Sequence, residues 1–147
     1  MDEKFYLLDN NALGRLTITQ RASVFVQTSC RIPTEVLYEA RGFPDRETLQ
    51  ELEYPTTARV LRAVQEVMSC VEPSDVSLVN LYDNLGYADP FLIACALDGL
   101  QDSSEHLFGP SWLIVTNDKG VSAMAVHFEL EVLTSEMFAD VLAANAF

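Results

Sequence analysis

Residues 5–16 read FYLLDNNALGRL. Phe5, Tyr6, Leu7 and Leu8 form a continuous apolar run that ends at Asp9, Asn10 and Asn11. A run of this length closed by polar residues is the pattern of a strand buried on both faces, as in a parallel sheet. Asp9 then stands at the carboxyl end of the strand, where open parallel sheets place their ligands. An aspartate here can also cap the helix that follows or start a turn. The segment alone leaves both readings open, and the choice depends on the partners the rest of the chain supplies.

A second stretch repeats the pattern. Residues 111–116 (SWLIVT) read as a buried strand that runs into Asn117, Asp118, Lys119 and Gly120. Between the two, residues 16–29 (LTITQRASVFVQTS) predict one helix. Residues 30–33 predict a short extended link, because the residue before proline avoids the helical region. Thr34 is placed to cap a helix EVLYEARG ended by Gly42, and Asp45 to cap DRETLQELEY, which Pro55 stops. Residues 57–71 carry apolar side chains at 60, 61, 64, 67, 68 and 71, the stripe of an amphipathic helix. A short strand or connector is expected over 75–81 and a turn at Gly86. The apolar helix ADPFLIACALDGL follows, with Pro90 in its first turn, and then a polar loop over 101–110. A short helix, a last strand near 130–133 and a capped helix from Ser135 close the chain. Strands alternating with helices predict an α/β fold, a three-layer sandwich with a mainly parallel central sheet, formed by 1–147 as a single domain.

Composition narrows the class. Of 147 residues, 49% are hydrophobic, enough for a globular core and too many for a disordered chain. No apolar run approaches the length of a bilayer span, and Met1, Asp2, Glu3 and Lys4 do not resemble a signal-peptide start, so a cytoplasmic location is expected. Cys30, Cys70 and Cys95 are scattered among apolar residues and read as reduced core thiols. With only His106 and His127, a histidine metal site is not expected, and His127 between Val126 and Phe128 reads as a structural residue. The net charge of −13 is unevenly spread: residues 1–62 hold 8 basic and 9 acidic residues, whereas 63–147 hold 1 and 13. A polyanion would therefore approach the N-terminal half, since phosphate neutralisation dominates nucleic-acid affinity.

If the sheet is parallel, two strands deliver Asp9 and Asp118 to one edge. Asp89 opens an apolar helix, where the helix dipole favours a negative side chain. Glu39 sits in the apolar turn VLYEA, an odd place for a charge unless it faces a cleft. Clustered carboxylates repel unless a cation lies between them, and Mg²⁺ or Mn²⁺ are the hard ions that carboxylates and water hold. There is no phosphate-cradling glycine loop and no GxSxG elbow, so nucleotide-kinase and serine-hydrolase chemistry lack support.

Four segments together resemble the PIN-domain family, in particular the ribonuclease toxins of bacterial type II toxin–antitoxin pairs (VapC-like). An apolar strand into Asp9 with Asn11 two positions on resembles the first motif, and IPTEVLYEA the second, with Glu39 preferred over Glu35. GYADPFLIACAL resembles the third around Asp89, and WLIVTNDKG the fourth through Thr116, Asn117 and Asp118. The resemblance implies a PIN-like fold and a metal-dependent endoribonuclease that hydrolyses RNA phosphodiester bonds with metal-activated water. Asp9, Glu39, Asp89 and Asp118 would be the catalytic residues and the ligands of Mg²⁺ or Mn²⁺. Asn11, Thr116 and Asn117 would orient those carboxylates or a bound water. Arg15 and Arg31 are the expected RNA contacts, a small antitoxin the expected protein partner, and a homodimer the expected assembly. Other readings are a PIN nuclease outside any toxin pair, acting in RNA processing or on DNA, and an inactive PIN-like binding module. An unrelated phosphatase or receiver domain is disfavoured, because no second acid or nucleophile pattern follows Asp9.

Overall fold

In the computed structural model, residues 3–71, 88–104 and 109–146 are described. The first strand, β1 (Lys4–Leu8), is flanked by β2 (Cys30–Pro33) and β4 (Ser111–Val115), with β3 (Glu53–Tyr54) and β5 (Glu131–Leu133) at the edges. The order is β3-β2-β1-β4-β5 and every pairing is parallel. Phe5 to Leu8 thus lie at the centre of the sheet, which explains why the run shows no polar alternation: Leu7 and Leu8 are fully buried.

Successive side chains of a strand point to opposite faces. Tyr6 packs against Phe25 of α3 (Val24–Ser29) and Phe138 of α9 (Ser135–Ala144) on one face. On the other face Phe5 stacks on Trp112 at 4.7 Å, its partner in register on β4. That second face is covered by α7 (Asp89–Ser104), which also packs on α6 (Ala58–Ser69). Gly99 permits the approach, since a Cβ there would stand 2.5 Å from the Trp112 ring. The result is helix on sheet on helix, as expected. Among the described residues, no helix is long and apolar enough to cross a membrane.

Several local expectations change. Residues 16–29 are not one helix but α2 (Ile18–Arg21) and α3, following α1 (Asn10–Arg15). Thr17 forms a reciprocal capping box with Gln20, and Ser23 caps α3, so two hydroxyl residues start two helices where apolar spacing alone suggests one. Residues 30–33 are not a link but β2: the extended conformation that proline imposes is also strand conformation, and burial of Cys30 and Ile32 decides between them. Thr34 is the first residue of α4 (Thr34–Glu39), not its cap, and its hydroxyl donates to Glu53 Oε2 at 2.9 Å. That helix ends at Ala40, before Gly42. Asp45 precedes α5 (Arg46–Gln50) without capping it, because its carboxylate is occupied by Arg21. Glu53 and Tyr54 leave the predicted helix to form β3.

The helix expected over 57–71 is α6, capped by Thr57, and α7 extends to Ser104, so its last turn replaces the start of the expected loop at 101–110. The strand expected near 130–133 is β5, preceded by α8 (Lys119–His127), and Thr134 caps α9. The segments 75–81 and 105–108, Gly86 and His106 lie outside the described residues. Cys30 and Cys95 are buried as expected, but Cys70 is exposed at the end of α6. His127 is also exposed, and packs edge-on to Phe128 at 5.1 Å.

Candidate functional site

The strand order reverses between β1 and β4: the chain leaves β1 towards β2 and leaves β4 towards β5. Open α/β sheets form a crevice at the carboxyl ends of such a pair. Asp9 follows β1 and Asp118 closely follows β4, so both stand at this crevice, a cleft of about 440 Å³. Val36 and Glu39 of α4 and Ala88 and Asp89 at the start of α7 complete its acidic wall, with Asn10, Asn11 and Asn117 at its margins. Asp9, Glu39, Asp89 and Asp118 are distant in sequence and are brought to one cavity. Glu39, not Glu35, lines the cleft.

Asp9 realises both readings of its sequence. Its Oδ1 accepts from the Ala12 amide at 2.7 Å, capping α1, and its Oδ2 accepts from the Thr116 hydroxyl at 2.5 Å. Thr116 is buried, 1% exposed, and its oxygen also accepts from the Asp118 amide at 3.1 Å. One hydroxyl therefore ties the two strand ends together. Asp118 caps α8 through the Val121 amide at 2.9 Å. Two of the four acids are thus held in fixed rotamers by helix starts, the positive ends of the helix dipoles.

The charges feel one another. Burial lifts the Asp89 carboxyl from 3.8 to about 7, helped by Asp118, Glu39 and Asp9. Burial also raises Asp9; Asp118 adds to the rise, while the Thr116 and Ala12 hydrogen bonds and Arg15 oppose it. Glu39 is raised by partial desolvation on the cleft wall, then by Asp9 and Glu35, although much of its side chain is open to solvent. Like charges in one low-dielectric cleft have this effect, and a cation among them reverses it.

Among the described residues, no three acidic, histidine or cysteine side chains are gathered closely enough to hold a metal ion by themselves. The expected four-carboxylate cage is therefore not preformed. The donor chemistry still fits a hard divalent ion, all oxygen, and Asn10 Oδ1 is buried in the cleft wall without a hydrogen-bond partner. Mg²⁺-type ions take one or two carboxylates directly and fill the remaining positions with water. On that footing the residues fit.

The other expected site residues divide. The Thr116 hydroxyl contacts the Asp9 carboxylate and the Asp118 amide. The Asn11 Oδ1 accepts from Arg15 Nε at 3.0 Å. Asn117 Oδ1 accepts from the Ser135 amide at 2.9 Å and anchors α9 beside the cleft. Arg15 lies near Asp9 but pairs with Glu136 at 2.8 Å. Arg31 does not line the cleft; its guanidinium is bonded to the carbonyls of Gln27 and Cys30 and rests 5.4 Å over Phe5, near the opposite end of β1. Asn10 is the residue that sequence reasoning passed over; only its position beside Asp9 pointed to it.

No protein-family model matches the sequence and no curated protein is similar to it. Among solved structures, the PIN domain of T. brucei RRP44 is similar, with a TM-score of 0.59 and 14% identity over 97% of this chain and 82% of that one. At that identity the likeness concerns the fold: an all-parallel five-stranded α/β sheet of PIN-domain type.

Proposed function

We propose that this protein is a divalent-metal-dependent endoribonuclease built on the PIN fold. The observation that supports it most directly is the convergence of Asp9, Glu39, Asp89 and Asp118 on one cleft at the sheet's switch point, with the Asp89 carboxyl raised to about 7 by burial and its neighbours. Four carboxylates repel a phosphodiester, so an RNA strand needs cationic help to enter. Asp9, Glu39, Asp89 and Asp118 would hold a Mg²⁺ or Mn²⁺, which would supply Lewis-acid activation of water and offset the charge of the phosphate.

The chain's own contribution is arrangement. Thr116 and the Ala12 amide hold Asp9, and the Val121 amide holds Asp118, so neither carboxylate reorganises when substrate arrives. Burial, helped by Asp118, Glu39 and Asp9, raises the Asp89 carboxyl to about 7, so its charged form is the one a cation in the cleft would favour. Glu39 and Asp89 are not held by helix caps, and exposed Glu39 has the room to turn towards an ion or its water.

The narrower reading, the toxin of a toxin–antitoxin pair, is supported by the four sequence motifs around these acids. A PIN nuclease outside such a pair is equally served by the cleft, and the RRP44 likeness concerns only its fold. On the toxin reading a small antitoxin would occupy the cleft with a basic side chain, and the nuclease would act as a cytoplasmic homodimer.

The decisive experiment incubates purified wild type and Asp9→Asn with total cellular RNA in Mn²⁺, Mg²⁺ or EDTA. Discrete fragments that disappear with EDTA and with Asp9→Asn are expected, because asparagine keeps the helix cap but removes the charge. Folded wild type that neither cleaves RNA nor binds Mn²⁺ calorimetrically would overturn the proposal. Toxicity on expression, relieved by a co-expressed neighbouring gene, separates the toxin reading from the broader one.

A further inference from the structure

A second hollow, about 390 Å³, adjoins the acidic cleft across α4. Val36 and Glu39 face the cleft, whereas Leu37, Tyr38 and Arg41 line the hollow, so the two are separated by the width of one helix. Tyr38 is 62% exposed. The Arg41 guanidinium lies 4.1 Å over its ring and is tethered to the Tyr38 carbonyl at 2.7 Å, an arrangement that fixes both planes. Arg46, at the start of α5, lines the same hollow.

The arginines of this chain are not equivalent. Arg15 is paired with Glu136, Arg21 with Asp45 and Arg59 with Asp98, while Arg31 is spent on backbone carbonyls. Arg41, Arg46 and Arg62 have no carboxylate ion pair among the described residues, and the first two stand together in this hollow. Of the two acids there, Glu53 accepts hydrogen bonds from Thr34 and Gln50, and Glu47 has no basic partner among the described residues. An exposed aromatic with two guanidinium groups that no carboxylate neutralises, beside an acidic cleft, matches the elements by which proteins hold single strands: a stacking surface for a base and cations for the backbone.

We propose that this hollow is the subsite that grips single-stranded RNA next to the bond being cut. A base stacks on the Tyr38–Arg41 pair, and Arg41 and Arg46 contact the adjoining phosphates. This places RNA contacts on Arg41 and Arg46, in place of Arg15 and Arg31. It rests on the ribonuclease reading and adds where the strand lies.

The test measures anisotropy of a fluorescent single-stranded RNA in EDTA, and KM and kcat for its cleavage in Mn²⁺. Wild type is compared with Tyr38→Ala, Tyr38→Phe, Arg41→Ala, Arg46→Ala and Glu47→Gln. Tyr38→Ala should weaken binding at least about fivefold, whereas Tyr38→Phe, which keeps the stacking face, should bind like wild type. Each arginine variant should lower the slope of log affinity against log salt by about 0.7, and Glu47→Gln should tighten binding. KM should carry the effect, with kcat within about twofold of wild type. Wild type that cleaves RNA while all three alanine variants bind within twofold of it would overturn the subsite and leave the nuclease standing. Wild type that neither binds nor cleaves RNA would overturn both.

Discussion

The burial of Asp89 in the cleft, beside three other carboxylates, has a thermodynamic consequence that does not depend on finding the substrate. Asp89 titrates at about 7 in the folded protein and near its ordinary 3.8 when unfolded. Below pH 3.8 both states are protonated and the group does not bias folding. As pH rises, the unfolded chain releases its proton first, so the metal-free fold loses stability progressively until pH passes about 7. At about 1.4 kcal/mol per pH unit, the interval corresponds to about 4 kcal/mol. Asp89 is only partly buried and shares the field of three other acids, so solvent screening brings the expected loss to about 2 kcal/mol. Asp89→Asn abolishes this titration at the cost of about 0.3–1 kcal/mol of helix-dipole interaction at the start of α7. In EDTA, urea denaturation should show wild type losing about 2 kcal/mol more than Asp89→Asn between pH 4 and pH 7.5. The variant should melt a few degrees higher at the upper pH, at about 2–4 °C per kcal/mol for a chain of this size. Mn²⁺ at pH 7.5 should raise the melting temperature of wild type and have less effect on the variant. Parallel stability curves for the two proteins, or no response to Mn²⁺ by either, would refute the reasoning that these acids share one field and one ion.

Other features give sharp expectations. Thr116→Val removes the hydroxyl that joins Asp9 to Asp118; it should cost about 1.5–3 kcal/mol in denaturation and reduce nuclease kcat more than it raises KM. Arg21 is 6% exposed and holds Asp45 through two bonds of 2.8 and 2.9 Å while donating to the Leu13 and Leu16 carbonyls. Arg21→Met alone should cost about 3–5 kcal/mol by leaving Asp45 unpaired, and Arg21→Met with Asp45→Leu should recover much of it in a double-mutant cycle. Gly99→Ala should destabilise by about 1–3 kcal/mol, because the new methyl meets the Trp112 ring, and should shift the tryptophan fluorescence. In a thiol-reagent titration, exposed Cys70 should react in the native protein, whereas burial that pushes Cys30 up to about 12 should keep it and Cys95 unreactive until denaturant is added.

Phe5 to Leu8 and residues 111–116 were legible as strands because burial on both faces removes polar alternation, and that composition needs no tertiary information. The helices over 57–71 and from Asp89 were legible for the same reason: one carries an apolar stripe, the other a nearly continuous apolar run. The two short strands, Cys30–Pro33 and Glu53–Tyr54, were not. Their extended character is weak locally, and they become strands because β1 offers β2 an edge and β2 then offers one to β3.

Among the site residues, the sequence by itself determined which acids were candidates: Asp9 and Asp118 follow apolar strands, Asp89 opens an apolar helix, and Glu39 is a charge within an apolar helical turn. Only the tertiary structure decided that they share a cleft, because parallel pairing with β1 at the centre puts those ends on one side. It also put Glu39, and not Glu35, on the cleft wall through the facing of a single helix turn. The arginines were undecidable from sequence for a different reason. A guanidinium is uncommitted only if no carboxylate folds within reach of it, and Glu136, 121 positions from Arg15, is a partner that no local pattern announces.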